Sequence, residues 1–156
     1  MFDTVLIAGL GLMGGSMAKT IKARTLSRVL GWNRTRATAE QALADGSIDA
    51  IATDALFREV DLVIIGLYPQ ATVDWLLENM PKMKKGCVIV DMVGVKQFMV
   101  NHLEQAALDA GVHYVGGHPM AGREFSGLDY ALPTLFDGAS MIFVPTKSSS
   151  ERILSQ

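Results

Sequence analysis

The chain has 156 residues, a length typical of one domain, and 49% of them are hydrophobic, which is enough for a substantial core. Its formal net charge is −2 and it has no long basic run, which argues against a general nucleic-acid-binding protein. The single Cys87 excludes a disulfide within the chain, no apolar stretch reaches membrane-spanning length, and no basic segment precedes the first apolar run. These features predict a soluble cytoplasmic protein that binds neither nucleic acid nor a membrane.

The most informative motif occupies residues 4–19, TVLIAGLGLMGGSMAK. A short apolar run, typical of a strand buried in a parallel sheet, leads into Gly9, Gly11 and Gly14, and a helix-compatible run follows. In this G-x-G-x-x-G spacing the first glycine permits a tight turn, the second lets a pyrophosphate reach the backbone, and the third lets helix and strand pack closely. Amides at the helix start, those of Leu12 and Met13 included, would hold the phosphates. The motif therefore predicts a dinucleotide site; the alternative is a glycine-rich turn in another kind of α/β domain.

Strands and helices alternate along the rest of the chain. Further strands are predicted at 28–32, 50–53, 61–67, 86–93, 112–115 and 140–144, and helices at about 36–44, 69–80 and 95–110, with a helix start at 151–154. This alternation predicts an α/β fold with a doubly wound, mostly parallel, Rossmann-like sheet. We interpret residues 1–156 as one dinucleotide-binding domain that is truncated near its C-terminal end.

The end of the second predicted strand bears on the choice of coenzyme. An acidic residue about 20 residues beyond the glycine loop binds the ribose 2′-hydroxyl of NAD and would repel a 2′-phosphate. This chain has Asn33 there, followed by Arg34 and Arg36, and a guanidinium can bind a phosphate with two hydrogen bonds. We therefore favour NADP. The alternative is NAD, with Asn33 bonding the ribose hydroxyls and the two arginines merely exposed at a helix start.

Ligands of an open parallel sheet bind beyond the carboxyl ends of its strands. His118 follows a predicted strand there, and its imidazole can accept a proton from a substrate hydroxyl while a hydride leaves the same carbon. The alternative is a histidine with a structural hydrogen bond. Arg123, Glu124 and Ser126 follow closely and could clamp a carboxylate and orient a substrate. The same edge carries three further candidates for coenzyme binding, namely Tyr68, Pro69 and Asp91. It also carries Lys96, which is a candidate for substrate binding or for capping the helix that it starts. No cluster has metal-ligand spacing, so we predict no metal.

Four segments resemble the prephenate/arogenate dehydrogenase family of tyrosine biosynthesis. They are GLGLMGGSMA (9–18), DMVGVK (91–96), GGHPMAGREFSG (116–127) and LFDGASMIFVP (135–145), in the family's order. The resemblance implies oxidative decarboxylation of prephenate or arogenate, with hydride transfer to a nicotinamide. It also implies that His118 polarises the substrate's ring hydroxyl and that Glu124 lies near the substrate side chain.

The sequence departs from the family in two ways. Gly94 stands where the family has a serine that helps the histidine bind the hydroxyl, and the family's C-terminal helical domain, which forms a homodimer and supplies basic residues for the substrate carboxylates, is absent. Two alternatives therefore stay open. One is an NAD(P)-binding fragment that is inactive alone, and the other is a related two-domain dehydrogenase that acts on another small acid.

Overall fold

The computed structural model describes residues 2–155, and it contains one seven-stranded sheet flanked by helices. The strands are β1 (Thr4–Ala8), β2 (Arg28–Trp32), β3 (Ala50–Ile51), β4 (Leu62–Ile65), β5 (Val88–Asp91), β6 (His113–Pro119) and β7 (Met141–Pro145). The helices are α1 (Leu12–Arg24), α2 (Arg36–Ala44), α3 (Pro69–Asn79), α4 (Lys96–Ala110) and α5 (Glu151–Leu154). Short 3-10 helices occupy Asp54–Glu59, Met80–Lys82 and Leu128–Tyr130.

Within residues 2–155 the strand order is β3-β2-β1-β4-β5-β6-β7, and only the β6–β7 pairing is antiparallel. In the parallel part, Ile7 of β1 lies opposite Gly31 of β2 and Ile64 of β4. The chain order therefore reverses beside β1, with β2 on one side and β4 on the other. The prediction of a doubly wound, mostly parallel sheet is confirmed. Such a reversal opens a crevice at the carboxyl ends of the strands, where ligands bind.

Successive residues of each strand feed two separate cores, as the period of two in a strand requires. Leu6, Val63 and Ile89 are buried on the face covered by α3 and α4. Val5 and Ile7 are buried on the opposite face, where α1 and α2 pack. Both faces are apolar near β1, which explains the continuous apolar run at residues 5–8.

Four strands differ in length from their predictions. β4 is Leu62–Ile65 instead of 61–67, and β5 is Val88–Asp91 instead of 86–93. The third strand is only Ala50–Ile51, and the sixth is His113–Pro119 instead of 112–115. The extension of β6 has a clear cause, because β7 pairs with it from Val115↔Pro145 to Pro119↔Met141. A pairing between segments so far apart is not visible in the local pattern of residues 112–119. Of the helices in residues 2–155, none is long and apolar enough to cross a membrane.

Candidate active site

The glycine loop between β1 and α1 has the geometry that its spacing predicts. Gly9 has φ +92°, and its amide donates a hydrogen bond to the carbonyl oxygen of Trp32 at 2.8 Å. A Cβ on Gly14 would lie 1.8 Å from the Gly9 carbonyl oxygen, whereas a Cβ on Gly11 would have no atom within 4 Å. The first and third glycines are thus required by the fold. The second leaves open space beside the start of α1.

Gly66, just beyond β4, completes the close packing around this loop. A Cβ at Gly66 would lie 3.1 Å from the amide nitrogen of Gly14 and 3.2 Å from the Gly9 carbonyl oxygen. Because Gly66 has no side chain, its backbone lies directly against the backbone of the glycine loop at the carboxyl ends of β1 and β4. This approach lets the start of α1 lie directly over the crevice between the two strands.

A first cavity of about 480 Å³ extends from the glycine loop across the end of β2. The rings of Trp32 and Trp75 lie 5.5 Å apart at its wall. Asn33 also lines it, and its Oδ1 accepts a hydrogen bond from the Leu10 amide at 2.9 Å, which ties the glycine loop to β2. The Asn33 amide group donates to the carbonyl oxygen of Thr35 at 3.1 Å. Both of these hydrogen bonds of the Asn33 side chain therefore stabilise the backbone around the glycine loop and the end of β2.

The two candidate arginines separate in the structure. Arg34 lines the first cavity. Arg36 instead lies on α2, where its Nε donates to Glu40 at 3.0 Å, and it is not among the described residues that line the cavity. The structure thus places Arg34 at the cavity and gives Arg36 a surface ion pair.

A second cavity of about 350 Å³ continues from the first, and both are lined by Gly11, Gly66, Leu67 and Tyr68. Leu12 and Met13 face it from the start of α1, and Ser126 faces it from the loop after β6. Tyr68 is 86% exposed and directly precedes α3, whose first residue is Pro69. Pro69 starts the helix and is not among the described residues that line either cavity.

The segment after β6 reaches the glycine loop because it packs along α1. The buried Ser16 hydroxyl accepts a hydrogen bond from the Leu132 amide at 3.0 Å, and the Thr20 hydroxyl donates to the Pro133 carbonyl at 3.0 Å. A Cβ on Gly15 would lie 2.7 Å from the Leu128 side chain, so the two elements are in close contact. This packing brings Ser126 to the second cavity.

Arg123 and Glu124 belong to the same segment, and both are exposed. The Arg123 guanidinium lies 5.3 Å from the centre of the Phe125 ring, which stacks on Tyr130 at 4.7 Å. Neither Arg123 nor Glu124 is among the described residues that line the two cavities, although Phe125 is. Of the three predicted residues in this segment, the structure brings only Ser126 into the cleft.

His118 was predicted to follow a strand, but in the structure it lies within β6, opposite Ile142 of β7. The prediction was wrong because β7 continues the pairing past residue 115. His118 is partly buried and faces Gly94, where an added Cβ would lie 3.4 Å from Cε1 of the ring. The loop that carries Gly94 also carries Met92, which lines the second cavity. This loop is the structural connection between the histidine and the cleft.

Asp91 and Lys96 form an ion pair with each other, and neither is among the described residues that line the two cavities. Asp91 is fully buried; its Oδ1 pairs with the Lys96 ammonium and accepts from the Val93 amide at 2.8 Å. Its Oδ2 accepts from the Tyr114 hydroxyl at 2.6 Å. Burial, and next the neighbouring Asp91 carboxylate, raise the pKa of Tyr114 above its ordinary value. In the structure these contacts hold the 92–95 loop.

The sequence analysis missed several residues that line the cleft. Trp75, Asp74 and Glu78 come from α3, and Met92 and Phe125 come from loops. No local pattern marks them, because α3 looks like an ordinary amphipathic helix and reaches the end of β2 only in the folded chain. Cys87 lies elsewhere and is fully buried, and burial raises the pKa of its thiol to about 12, as expected of an inert cysteine.

Comparisons with known proteins agree with this geometry. The family described as "Prephenate dehydrogenase, nucleotide-binding domain" matches residues 17–156. Prephenate dehydrogenase of Bacillus subtilis is 34% identical over 160 residues, which cover 100% of this chain and 43% of that protein. The chain thus spans less than half the length of that relative.

Two solved structures have the same fold. A prephenate dehydrogenase from Aquifex aeolicus, in complex with hydroxyphenyl propionate and NAD+, is 28% identical with a TM-score of 0.88 and covers 99% of this chain and 55% of its own. An arogenate dehydrogenase from Synechocystis is 25% identical with a TM-score of 0.86 and covers 97% of this chain and 53% of its own. With the family match over most of its length, the chain belongs to the prephenate dehydrogenase nucleotide-binding domain family.

Proposed function

We propose that residues 1–156 are the dinucleotide-binding domain of a cytoplasmic prephenate or arogenate dehydrogenase, and that the longer protein carrying it is a homodimer. The observation that supports this most strongly is the continuous cleft formed by the two cavities, which share Gly11 and Tyr68. It lies where the strand order reverses, between the ends of β2 and β4. An NAD(P)-dependent enzyme needs such a crevice to hold an extended dinucleotide.

The described residues fit a dinucleotide. Open space beside Gly11 gives a pyrophosphate access to the backbone, while the close contact of Gly14 with Gly9 keeps α1 against the sheet. The backbone amides at the first turn of α1 and the helix dipole favour a negatively charged group there. The first cavity, walled by Trp32 and Trp75, would then hold the adenosine half, and the second the nicotinamide half.

When bound, a nicotinamide would supply the hydride acceptor for the oxidation. In this proposal Ser126, at the edge of the second cavity, orients the substrate. His118 binds the ring hydroxyl, and the exposed Arg123 and Glu124 contact the polar groups of the substrate from the same segment. Loss of the ring carboxylate as carbon dioxide and aromatisation of the ring drive the reaction. The protein therefore needs only to align the reactants and handle one proton.

The choice between NADP and NAD depends on Arg34 in this proposal. Arg34 lines the first cavity, and the neighbouring position 33 carries an uncharged Asn, so a 2′-phosphate beside these two residues would meet a cation and no carboxylate at position 33. We expect Arg34→Ala to weaken NADP binding about tenfold or more, the scale of a lost charged hydrogen bond, and NAD binding much less. Titration with each coenzyme measures both affinities.

Arg36→Ala is the matched control, because Arg36 pairs with Glu40 outside the cavity. It should leave the affinity for both coenzymes unchanged. Equal weakening of NADP and NAD in Arg34→Ala would remove Arg34 as the residue that selects the coenzyme, and NAD would become the proposed coenzyme.

Coenzyme binding and turnover can be tested separately, since the chain spans less than half of its Bacillus subtilis relative. We expect the 156-residue chain to bind NADP or NAD but to form little or no reduced coenzyme with prephenate or arogenate. Binding is measured by tryptophan fluorescence, because Trp32 and Trp75 line the cleft, and turnover by absorbance of the reduced coenzyme. Rapid turnover by the chain alone would contradict the proposal that substrate binding needs a further domain.

In a longer protein that carries this domain, His118→Asn should lower kcat about 100-fold or more with the true substrate, while coenzyme affinity stays the same. The assay uses prephenate and arogenate in parallel. An unchanged kcat with the better substrate would exclude His118 from the reaction. Activity with neither would favour a related dehydrogenase that acts on another small acid.

A further inference from the structure

The ring of His118 has one nitrogen that is enclosed and unpaired. Its Nδ1 is buried, and within residues 2–155 no protein group lies at hydrogen-bonding distance from it. The residue as a whole is only partly buried. Of its two ring nitrogens, Nδ1 is the one that is buried without a hydrogen-bond partner among residues 2–155. A neutral imidazole carries its proton on one nitrogen and a lone pair on the other. The surroundings of the two nitrogens therefore decide which of them is protonated.

Nδ1 lies close to the position that a side chain at residue 94 would occupy, and in this chain residue 94 is glycine. A Cβ added at Gly94 would lie 3.8 Å from Nδ1 and 3.4 Å from Cε1, and no other atom would lie within 4 Å of it. A side chain at this position would thus face the ring edge without a clash elsewhere. Glycine covers Nδ1 but offers it nothing to bond.

The 92–95 loop and β6, which face each other at this point, are both held in place by other contacts. The 92–95 loop is held by buried Asp91, which accepts from the Val93 amide at 2.8 Å and pairs with Lys96. The backbone of His118 is held in β6 by its pairing with Ile142 of β7. Because the atom is already enclosed by this chain, a group from another segment has no direct path to it.

We propose that residue 94 selects the tautomer of His118, and that with glycine there the neutral ring carries its proton on Nε2. A proton on Nδ1 would be a buried donor without an acceptor, which is costly, whereas a proton on Nε2 can bond to water or to a ligand. In this tautomer Nε2 of His118 donates to a substrate oxygen and does not take a proton from it, in contrast to the expectation from the sequence. Gly94 is a positioning residue in this scheme. Its consequence for catalysis rests on the proposed function, but the tautomer does not.

Nuclear magnetic resonance of the 15N-histidine-labelled chain measures the tautomer directly, through long-range 1H–15N correlations at a pH where all three rings are neutral. The other two histidines are internal references. Nδ1 of His102 lies 2.8 Å from the Phe98 carbonyl oxygen, and Nδ1 of His113 lies 2.5 Å from the Ser148 carbonyl oxygen, so both must carry a proton on Nδ1. We expect His118, assigned by its loss in His118→Gln, to show the opposite pattern, with about a tenfold or greater excess of the Nε2–H form.

Two substitutions then test the role of residue 94. Gly94→Asp adds an acceptor-only carboxylate and should convert His118 to the Nδ1–H pattern. Gly94→Ala adds only the Cβ and should leave the Nε2–H pattern unchanged. An Nδ1–H pattern for His118 in the unmodified chain would overturn the proposal even if neither variant folds. Identical spectra for the Asp and Ala variants would also overturn it, and neither outcome depends on whether the chain turns over a substrate.

Discussion

At the scale of single residues, the glycine loop contains two glycines that differ sharply in what surrounds them. Gly14 has no room for a Cβ, whereas Gly11 has open space on the side where a Cβ would point. Gly14 allows α1 to pack closely on β1, and Gly11 leaves the cleft accessible. Substitution by alanine therefore separates folding from binding at two positions in the same loop.

We expect Gly14→Ala to lower the free energy of unfolding by about 3 kcal/mol or more, because a Cβ 1.8 Å from the Gly9 carbonyl oxygen forces the backbone to move. Gly11→Ala should change stability little, yet weaken NAD(P) binding by filling the space that a pyrophosphate needs. Urea unfolding and coenzyme titration measure the two effects. Equal stability of the two variants would show that α1 does not pack as described.

At the scale of elements, the neighbouring strands β1 and β4 are joined by a side chain as well as by backbone. Asp61, directly before β4, accepts hydrogen bonds from the backbone amides of Asp3 at 3.0 Å and Thr4 at 2.8 Å, at the start of β1. Its other oxygen pairs with the Lys84 ammonium. Partial burial alone would raise the pKa of Asp61, but the hydrogen bonds from Lys84, Thr4 and Asp3 and the charge of Lys84 outweigh it and lower this pKa below its ordinary value.

Because the pKa of Asp61 is lower in the folded than in the unfolded chain, its ionised form stabilises the fold fully above the unfolded value of about 4. This stabilisation is lost as the pH falls through the lower folded value. Asp61→Asn should cost about 1–3 kcal/mol at pH 7, and its difference from the unmodified chain should shrink as the pH falls below about 4. Urea unfolding between pH 7 and pH 3 measures this.

Asp54→Asn is the control, since Asp54 forms only an exposed ion pair with Lys82 at 3.0 Å and should contribute less than about 1 kcal/mol. A difference at pH 7 that matched the control would mean that the Asp61 carboxylate does not join β1 to β4 in solution.

At the scale of the whole molecule, the proposed coenzyme would join loops from both halves of the parallel sheet. A coenzyme that binds the folded but not the unfolded chain raises the free energy of unfolding, by about 2.7 kcal/mol at a ligand concentration 100 times Kd. Hydrogen exchange should therefore slow in the segments 9–13, 33–35 and 66–68, which contribute residues to the walls of the two cavities. The β6–β7 pair lies at the far edge of the sheet and should gain only the global effect. Protection centred on that edge would place the ligand elsewhere.

Most of the architecture follows from local patterns in the sequence. Alternating apolar strands and amphipathic helices predicted the parallel sheet, the glycine spacing predicted the turn over β1, and Gly111, at φ +70°, ends α4 as expected of a glycine cap. These features depend on residues within a few positions of one another. For this reason the fold class and the coenzyme loop could be predicted before any tertiary contact was known.

The sequence by itself determined the fold class, the glycine loop and the set of polar residues near the carboxyl ends of the strands. Only the tertiary structure decided which of them share the cleft: Arg34 and Ser126 line it, whereas Asp91 and Lys96 turn inward to each other. The same holds for His118, whose place within β6 and whose unpaired Nδ1 follow from β7 and from Gly94. The physical reason is that these contacts join residues distant in sequence, whose meeting depends on packing and burial and leaves no local pattern.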